Sequence, residues 1–445
     1  MITPRTLKGF RDFLPEFMLP REHLLECATG VFRSYGFCPI DTPSLEYLEI
    51  LQGKGSDETD RQLYKFVDHG GREVGLRFDL TVPLARYVAQ HFSELLFPFK
   101  RYHIGKVWRG ENTQSGRYRE FMQCDFDTIG TRSIVSDIEI LLIINDLLER
   151  IDLRSGGSFT QFKIKVNNRK ILTGLLDKNN ILDKSTLVLR AVDKIGKIGR
   201  QGVFDELLNV CGLAPQQADC VLEFVALDGS NESIFLSLRK MLSGNETGEA
   251  GLASLEELFS VIESAGIPRG RVVADVSIAR GLDYYTGMVY ETFLDELPNI
   301  GSVCSGGRYD DLASLYTKQE LPGVGGSLGL DRLISAMEIL GMIDKISAPV
   351  SVFMPFFAAE RLGDYLKFLR MLKSSGIGVE FYPESKKIGQ QLKYADKRGF
   401  RIAIIAGENE FQNGTCQIKD LKTGNSIETP QNNAPQKINE ILSSC

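Results

Sequence analysis

Apolar and polar positions alternate most clearly between Arg101 and Gly130, RYHIGKVWRGENTQSGRYREFMQCDFDTIG. In an extended chain Met122, Cys124 and Phe126 fall on one side and Gln123, Asp125 and Asp127 on the other. The pattern predicts a hairpin with one apolar and one polar face. Its arms are joined by roughly nine residues that include Gly110, Gly116 and Arg117, a longer and more basic connection than a tight turn needs. A loop of that kind implies an anionic partner, although an ordinary solvated antiparallel sheet would show the same alternation.

Helical spacing appears from about Pro20 to Tyr35, with Leu24, Leu25, Ala28 and Phe32 on one stripe and Gly36 as the stop. Phe37 to Pro43 is extended, because a residue before proline is pushed out of the helical region. Ser136 to Ile151 predicts an apolar helix, and Phe162, Ile164 and Val166 alternate with lysines as a strand. From about 181 to 267 the pattern turns helical, with segments at Leu187 to Ile195 and Leu255 to Ala265 around a polar, glycine-containing stretch at Ser243 to Gly251. This predicts an inserted helical unit.

Past an apolar helix ending near Gly341, residues 342–349 read as a linker. Strands at Val350 to Met354, Val379 to Phe381 and Arg401 to Ile405 then alternate with helices at Arg361 to Ser374 and Gln390 to Lys397, which predicts a small sheet crossed by helices. The expected division is a first domain over 1–341, a second over 350–430 and a loose polar tail over 431–445.

Charge narrows the picture. A net charge of -6 over 445 residues argues against holding nucleic acid by global charge, so any such site must be local. Between Lys386 and Arg401 six basic residues stand against one acid, Asp396, which supplies a local patch or simply a solvated helix face. The first residues carry no signal-type apolar segment and no window reaches the roughly 18 apolar residues of a membrane span, so a cytoplasmic, non-membrane protein is expected. The eight cysteines include no C-x-x-C pair, and with four histidines no zinc-ligand spacing emerges.

Candidate chemistry lies in three further stretches. In LRFDLTVPLAR, Asp79 and Thr81 share parity, so an extended chain would point both oxygens the same way roughly 7 Å apart. Such a pair suits an ammonium group; helix capping ahead of Val82 to Val88 is the alternative. The glycines of GVGGSLGLDR, Gly323 to Arg332, fit neither a dinucleotide fingerprint nor a Walker loop. Arg332, in the first turn of the following helix, opposes the helix dipole unless an anion sits there too.

Arg109-Gly110-Glu111 followed by GRYREF and QCDFD resembles the second signature motif of class II aminoacyl-tRNA synthetases, in the form found in histidyl-tRNA synthetases. The segment Ile278 to Glu291, IARGLDYYTGMVYE, and Ser305 to Asp310, SGGRYD, resemble the two histidine-specific signatures of that family. Gly323 to Arg332 resembles the third class II motif, and the helix and strand leading to Pro43 the first, which in the family forms the dimer interface.

The resemblance implies an α+β class II catalytic domain, an antiparallel sheet flanked by helices, with a helical insertion and a C-terminal α/β anticodon-binding domain. It implies ATP as a substrate, magnesium with it, L-histidine and tRNA(His) as partners, and a homodimer. Arg109 and Arg280 would flank the α-phosphate, Arg332 would hold the distal phosphates and Glu111 the adenine side. Asp79, Thr81 and Gln123 would take the amino group, Asp127 and Tyr285 the imidazole, with Tyr284 and Tyr309 lining its pocket. The hairpin loop Asn112 to Ser115 lacks the proline common in the family, a departure that bears on contacts with the tRNA end. Two other classes share the resemblance: a regulatory paralogue without the C-terminal domain, and a non-catalytic tRNA sensor that would tolerate loss of Arg109 or Arg280. The C-terminal segment and both arginines are present.

Overall fold

The computed structural model describes residues 1–52, 57–113, 116–151, 161–192, 194–278, 284–343 and 348–443. The chain divides into two compact units, Met1–Asp12 with His23–Ile343, and Phe13–Glu22 with Asp344–Cys445.

The first unit is built on a sheet of β1 (Cys38–Pro39), β5 (Phe99–Trp108), β6 (Glu120–Ile129), β7 (Phe162–Asn168), β8 (Val272–Ala274), β9 (Met288–Leu294), β10 (Cys304–Arg308) and β11 (Gly323–Gly329). Their order is β1-β5-β6-β11-β10-β9-β7-β8. The six central strands pair antiparallel, while β1 on β5 and β8 on β7 are parallel. A smaller sheet of β2 (Leu45–Tyr47), β4 (Glu73–Leu76) and β3 (Lys65–Val67) lies in the same unit.

The hairpin is β5 and β6, and its parity is as the alternation predicts. Cys124 and Phe126 are fully buried against helices, with the Phe126 ring 5.0 Å from that of Phe32. The helix Pro15–Ser34 supplies Leu24, Ala28, Val31 and Phe32 to this core, at positions one helical face apart. Gly36, at φ 79, turns the chain out of it. The helix Ile134–Arg150 packs Ile140, Ile144 and Leu147 against the same side. The opposite face of β6 is buried too, although Gln123, Asp125 and Asp127 lie on it. A solvated outer face is therefore excluded.

The inserted unit contains helices Ser185–Val192, Ile195–Asn209, Pro215–Val225, Asn231–Leu242 and Glu246–Ile262. The glycine-containing stretch Ser243 to Gly251, read as a polar interruption, is helical from Glu246 onward. Asn245 caps that helix, its side chain accepting from Gly248 N at 2.9 Å. The glycines serve close helix packing, for a Cβ on Gly174 would stand 2.4 Å from Gly248 Cα.

The second unit holds β12 (Val352–Met354), β13 (Val379–Phe381), β14 (Ile402–Ile405), β15 (Thr415–Asp420) and β16 (Ser426–Pro430), ordered β13-β12-β14-β15-β16. The first three are parallel, with helices Leu362–Ser374 and Ile388–Arg398 between them. The loose tail expected over 431–445 is corrected: residues Ala434–Ser443 form a helix whose Ile438 is fully buried in the core with Phe368, Ile404 and Ile418. The described cysteines carry no disulfide, and among the described residues no helix is long and apolar enough to cross a membrane.

Candidate active site

Glycine-rich β11 pairs with β6 and glycine-rich β10 with β11, and they leave room for the polar side chains of β6. Gly325 is the register partner of Asp127, and a Cβ on it would fall 2.0 Å from the Asp127 Oδ1. A Cβ on Gly323 would come 2.4 Å from the Tyr309 ring, and one on Gly307 2.8 Å from the Tyr285 ring. These glycines make space for a carboxylate and two phenols.

The result is a cleft of about 890 Å³ lined by Asp79, Thr81, Arg109, Gln123, Asp127, Tyr284, Tyr285 and Tyr309, together with Asp125 and Ser327. Seven of the residues expected from sequence to bind an amino acid, Asp79, Thr81, Gln123, Asp127, Tyr284, Tyr285 and Tyr309, thus share one pocket with Arg109. Asp79 reaches it differently from the extended arrangement. Thr81 begins the helix Thr81–Gln90, and Asp79 Oδ1 accepts from Thr81 N at 3.2 Å and Val82 N at 2.9 Å. Capping and pocket lining are therefore one arrangement.

Burial raises the carboxyls of Asp79, Asp125 and Asp127 above their ordinary range, Asp125 up to about 7. Opposing that rise at Asp127, Arg101 lies 2.7 Å from Oδ2 and the Tyr309 hydroxyl donates to Oδ1. Tyr284 sits edge-on to both Tyr285 and Tyr309, at 5.1 and 5.9 Å between ring centres. Gln123 donates to Ser327 Oγ at 2.9 Å, while Gln123 Oε1 and Asp125 Oδ1 are buried without a hydrogen-bond partner among the described residues. Buried acceptors left open in this way fit a ligand with several donors.

A second cleft of about 640 Å³ adjoins the first and shares Arg109, Gln123, Ser305 and Ser327 with it. Glu111, Arg117, Tyr118, Phe121 and Arg332 line the remainder. Arg109 lies at the junction, Nε donating to Phe78 O at 3.1 Å and its guanidinium 4.4 Å from the Phe78 ring centre and 5.1 Å from that of Phe121. Arg332 donates to Ser302 O, and burial together with Arg117 and Arg109 pushes its guanidinium down. Three guanidiniums line one cleft, Arg117 pairing with Glu111 at 3.7 Å, and the excess of positive charge suits a polyanion. Asp331 is occupied, pairing with Arg11 at 3.2 Å and accepting from Met122 N at 2.7 Å.

Arg280 lies outside the described residues, as do Gln114 and Ser115 of the hairpin loop. Arg117 and Asp125 were not singled out as site residues from sequence. The basic loop pointed toward Arg117, and the parity of β6 already placed Asp125 between Gln123 and Asp127. Arg308, within SGGRYD, has a structural role: its guanidinium grips buried Asp137, with Nε 3.1 Å from Oδ2, and donates to Thr131 O at 3.0 Å.

The family model for histidyl-tRNA synthetase matches residues 9–333, and that for an anticodon-binding domain matches residues 352–441. The chain belongs to the histidyl-tRNA synthetase family. A histidine--tRNA ligase from Rhodopirellula baltica is 59% identical over 96% of this chain and 95% of its own length. One from Treponema denticola is 44% identical over 98% of each chain. A solved histidyl-tRNA synthetase from Nostoc sp. PCC 7120 matches with a TM-score of 0.88 at 35% identity, over 99% of this chain and 100% of that one. In this member of the family the two clefts occupy one continuous face of the catalytic sheet, with the second and third class II motifs and the SGGRYD signature contributing to them.

Proposed function

We propose that the protein activates L-histidine with ATP to histidyl-adenylate and pyrophosphate, then transfers the histidyl group to the 3′ end of tRNA(His). The observation that carries the reading is the pair of adjoining clefts with Arg109 at their junction: one acidic and phenol-lined with open buried acceptors, the other ringed by guanidiniums.

Attack of a carboxylate on a polyphosphate needs neutralised charge and fixed geometry more than acid-base chemistry. Arg109 meets the α-phosphate between the clefts, and Arg280 is assigned its other side. Arg332 and Arg117 take the distal phosphates, and Glu111 bounds the adenine side. Asp79, Thr81 and Gln123 receive the ammonium group. Asp127 accepts from one imidazole nitrogen and Tyr285 serves the other, with Tyr284 and Tyr309 closing the pocket.

Among the described residues no group of three His, Cys, Asp or Glu is arranged to hold a metal. A magnesium ion carried in on the triphosphate would take most of its ligands from phosphate and water. When bound, it would neutralise charge on the phosphates. A homodimer is supported by Leu45, Tyr47 and Phe66, which share one face of the β2-β4-β3 sheet and are 44%, 50% and 49% exposed in the single chain. A cytoplasmic location is proposed with it, the compartment in which tRNA is charged for general translation.

Calorimetry on Asp127→Ala tests the assignment. Histidine affinity should fall by about 1 to 3 kcal/mol, the cost of leaving a buried donor unpaired, with ATP affinity unchanged. An equal loss for both ligands would remove Asp127 from the imidazole pocket.

A further inference from the structure

Among the described residues of the first unit three arginines are almost wholly buried, and their partners differ in kind. Arg77 is tied to the backbone, donating to Thr42 O at 2.6 Å and Lys106 O at 2.9 Å. Arg308 likewise donates to Thr131 O and Ser133 O besides gripping Asp137. Such arginines hold a fold together. Arg101, at 0% exposure, has no such tie: among the described residues none of its nitrogens makes a hydrogen bond of good geometry, and its ion pair is with Asp127 at 2.7 Å.

Register explains the placement. Arg101 stands directly across β5 and β6 from Asp127, and His103 across from Asp125, so both lie on the face that carries the pocket. A guanidinium cannot shed its proton in such a place, so it remains a fixed positive charge away from water. Its charge acts on Asp127, Asp125 and Asp79 and on the Tyr309 hydroxyl. His103 beside it bonds to Asp41 at 3.0 Å, and burial, Arg101 and Arg77 keep its imidazole neutral. Among the described residues Arg101 is therefore the fully buried cation on this face, set against three carboxylates of the inner cleft.

We propose that Arg101 is a positioning and specificity-setting residue for the imidazole subsite, its sealed guanidinium countering the charge of Asp127 and holding that side chain toward the inner cleft. The inference rests on the histidine assignment of that cleft. Asp127 then has one oxygen held by Tyr309 and the other by Arg101, so the carboxylate cannot rotate away from the ligand. Arg101 touches no substrate; it acts through Asp127, and Asp125 competes for the same charge.

The test is pyrophosphate exchange at varied histidine, ATP and pH on wild type, Arg101→Met and Arg101→Lys. Losing one member of a buried charge pair should raise the histidine KM in Arg101→Met on the order of 10²-fold, with the ATP KM close to wild type. The penalty should shrink as pH rises, because an Asp127 deprived of its cation ionises only at higher pH. Arg101→Lys should restore part of the affinity by returning the charge without the fork. A histidine KM unchanged in Arg101→Met, a parallel rise in both KM values, or a penalty equal at every pH would overturn the proposal. Should Arg101→Met not fold, Arg101→Lys carries the test: with the charge kept and the fork lost, the histidine KM should rise while the ATP KM and the acid limb of histidine kcat/KM stay near wild type. A histidine KM unchanged in Arg101→Lys would then overturn the proposal. Wild type without histidine-dependent exchange would instead overturn the reading of the cleft itself.

Discussion

Asp125 is 2% exposed, and burial is the leading cause that lifts its carboxyl to about 7, with Asp127 adding to the rise and Arg101 opposing it. Its unfolded value is about 4. Between those limits the folded protein keeps a proton that the unfolded chain has released, so stability contributed through this group falls as pH rises from about 4 to about 7. The contribution is complete below the unfolded value and gone above the folded one. Asp125→Asn removes the titration. The difference in unfolding free energy between wild type and Asp125→Asn, measured by urea melts without ligand, should therefore drift against the wild type across that window. A difference that does not change with pH would show that Asp125 titrates normally. Asp79 makes a separate point at the same scale: its carboxylate both caps a helix and lines the pocket, so capping and ligand recognition, opposed as readings of the sequence, are one geometry.

Among the elements, the β5-β6 hairpin was the most legible, because strict parity separates Cys124 and Phe126 from Gln123, Asp125 and Asp127 whatever surrounds them. Parity could not show that the polar face is buried. That depends on β10, β11 and the tyrosines, brought there by long-range pairing. The short glycine segments of the insertion were misjudged because a glycine that permits helix packing, such as Gly248, looks locally like one that breaks a helix. At the C-terminal end a signal was present and overlooked: Cys416, Ile418 and Asp420 are buried alternately with half-buried Gln417 and Lys419, the period of a strand. The final helix was hidden by polar neighbours. Ile438→Ala should cost about 2 to 5 kcal/mol of the second unit's stability by urea unfolding, the usual cost for a filled core position. A loss within about 0.5 kcal/mol, as at a surface site, would return the segment to a loose tail.

For the whole molecule, the sequence spoke of one basic run and the structure divides it. Arg398 and Arg401 pair with Glu380 and Asp420 at 3.3 and 2.8 Å, and Lys386 pairs with Glu384. Lys387, Lys393 and Lys397 are exposed on or beside the helix Ile388–Arg398. These three are the candidates for binding phosphates. Changing all three to glutamate should weaken tRNA binding and flatten its salt dependence, by a slope of about 0.7 to 0.9 for each phosphate no longer neutralised. Histidine-dependent pyrophosphate exchange should be untouched, because the clefts described above lie wholly in the first unit. Unaltered tRNA affinity would move the RNA surface elsewhere.

The central claim is that the two clefts join an amino acid to a nucleotide, and exchange of labelled pyrophosphate into ATP measures that step alone. Run with wild type against each amino acid in turn, exchange should depend on histidine. In Arg280→Ala, which takes away one preorganised positive charge beside the α-phosphate, the rate should fall by about 10²-fold or more. Histidine binding by calorimetry should stay near wild type, since Asp79, Thr81, Gln123 and Asp127 are unaltered. Unchanged exchange in the variant would withdraw the role given to Arg280. No exchange with any amino acid, or exchange driven by one other than histidine, would contradict the account.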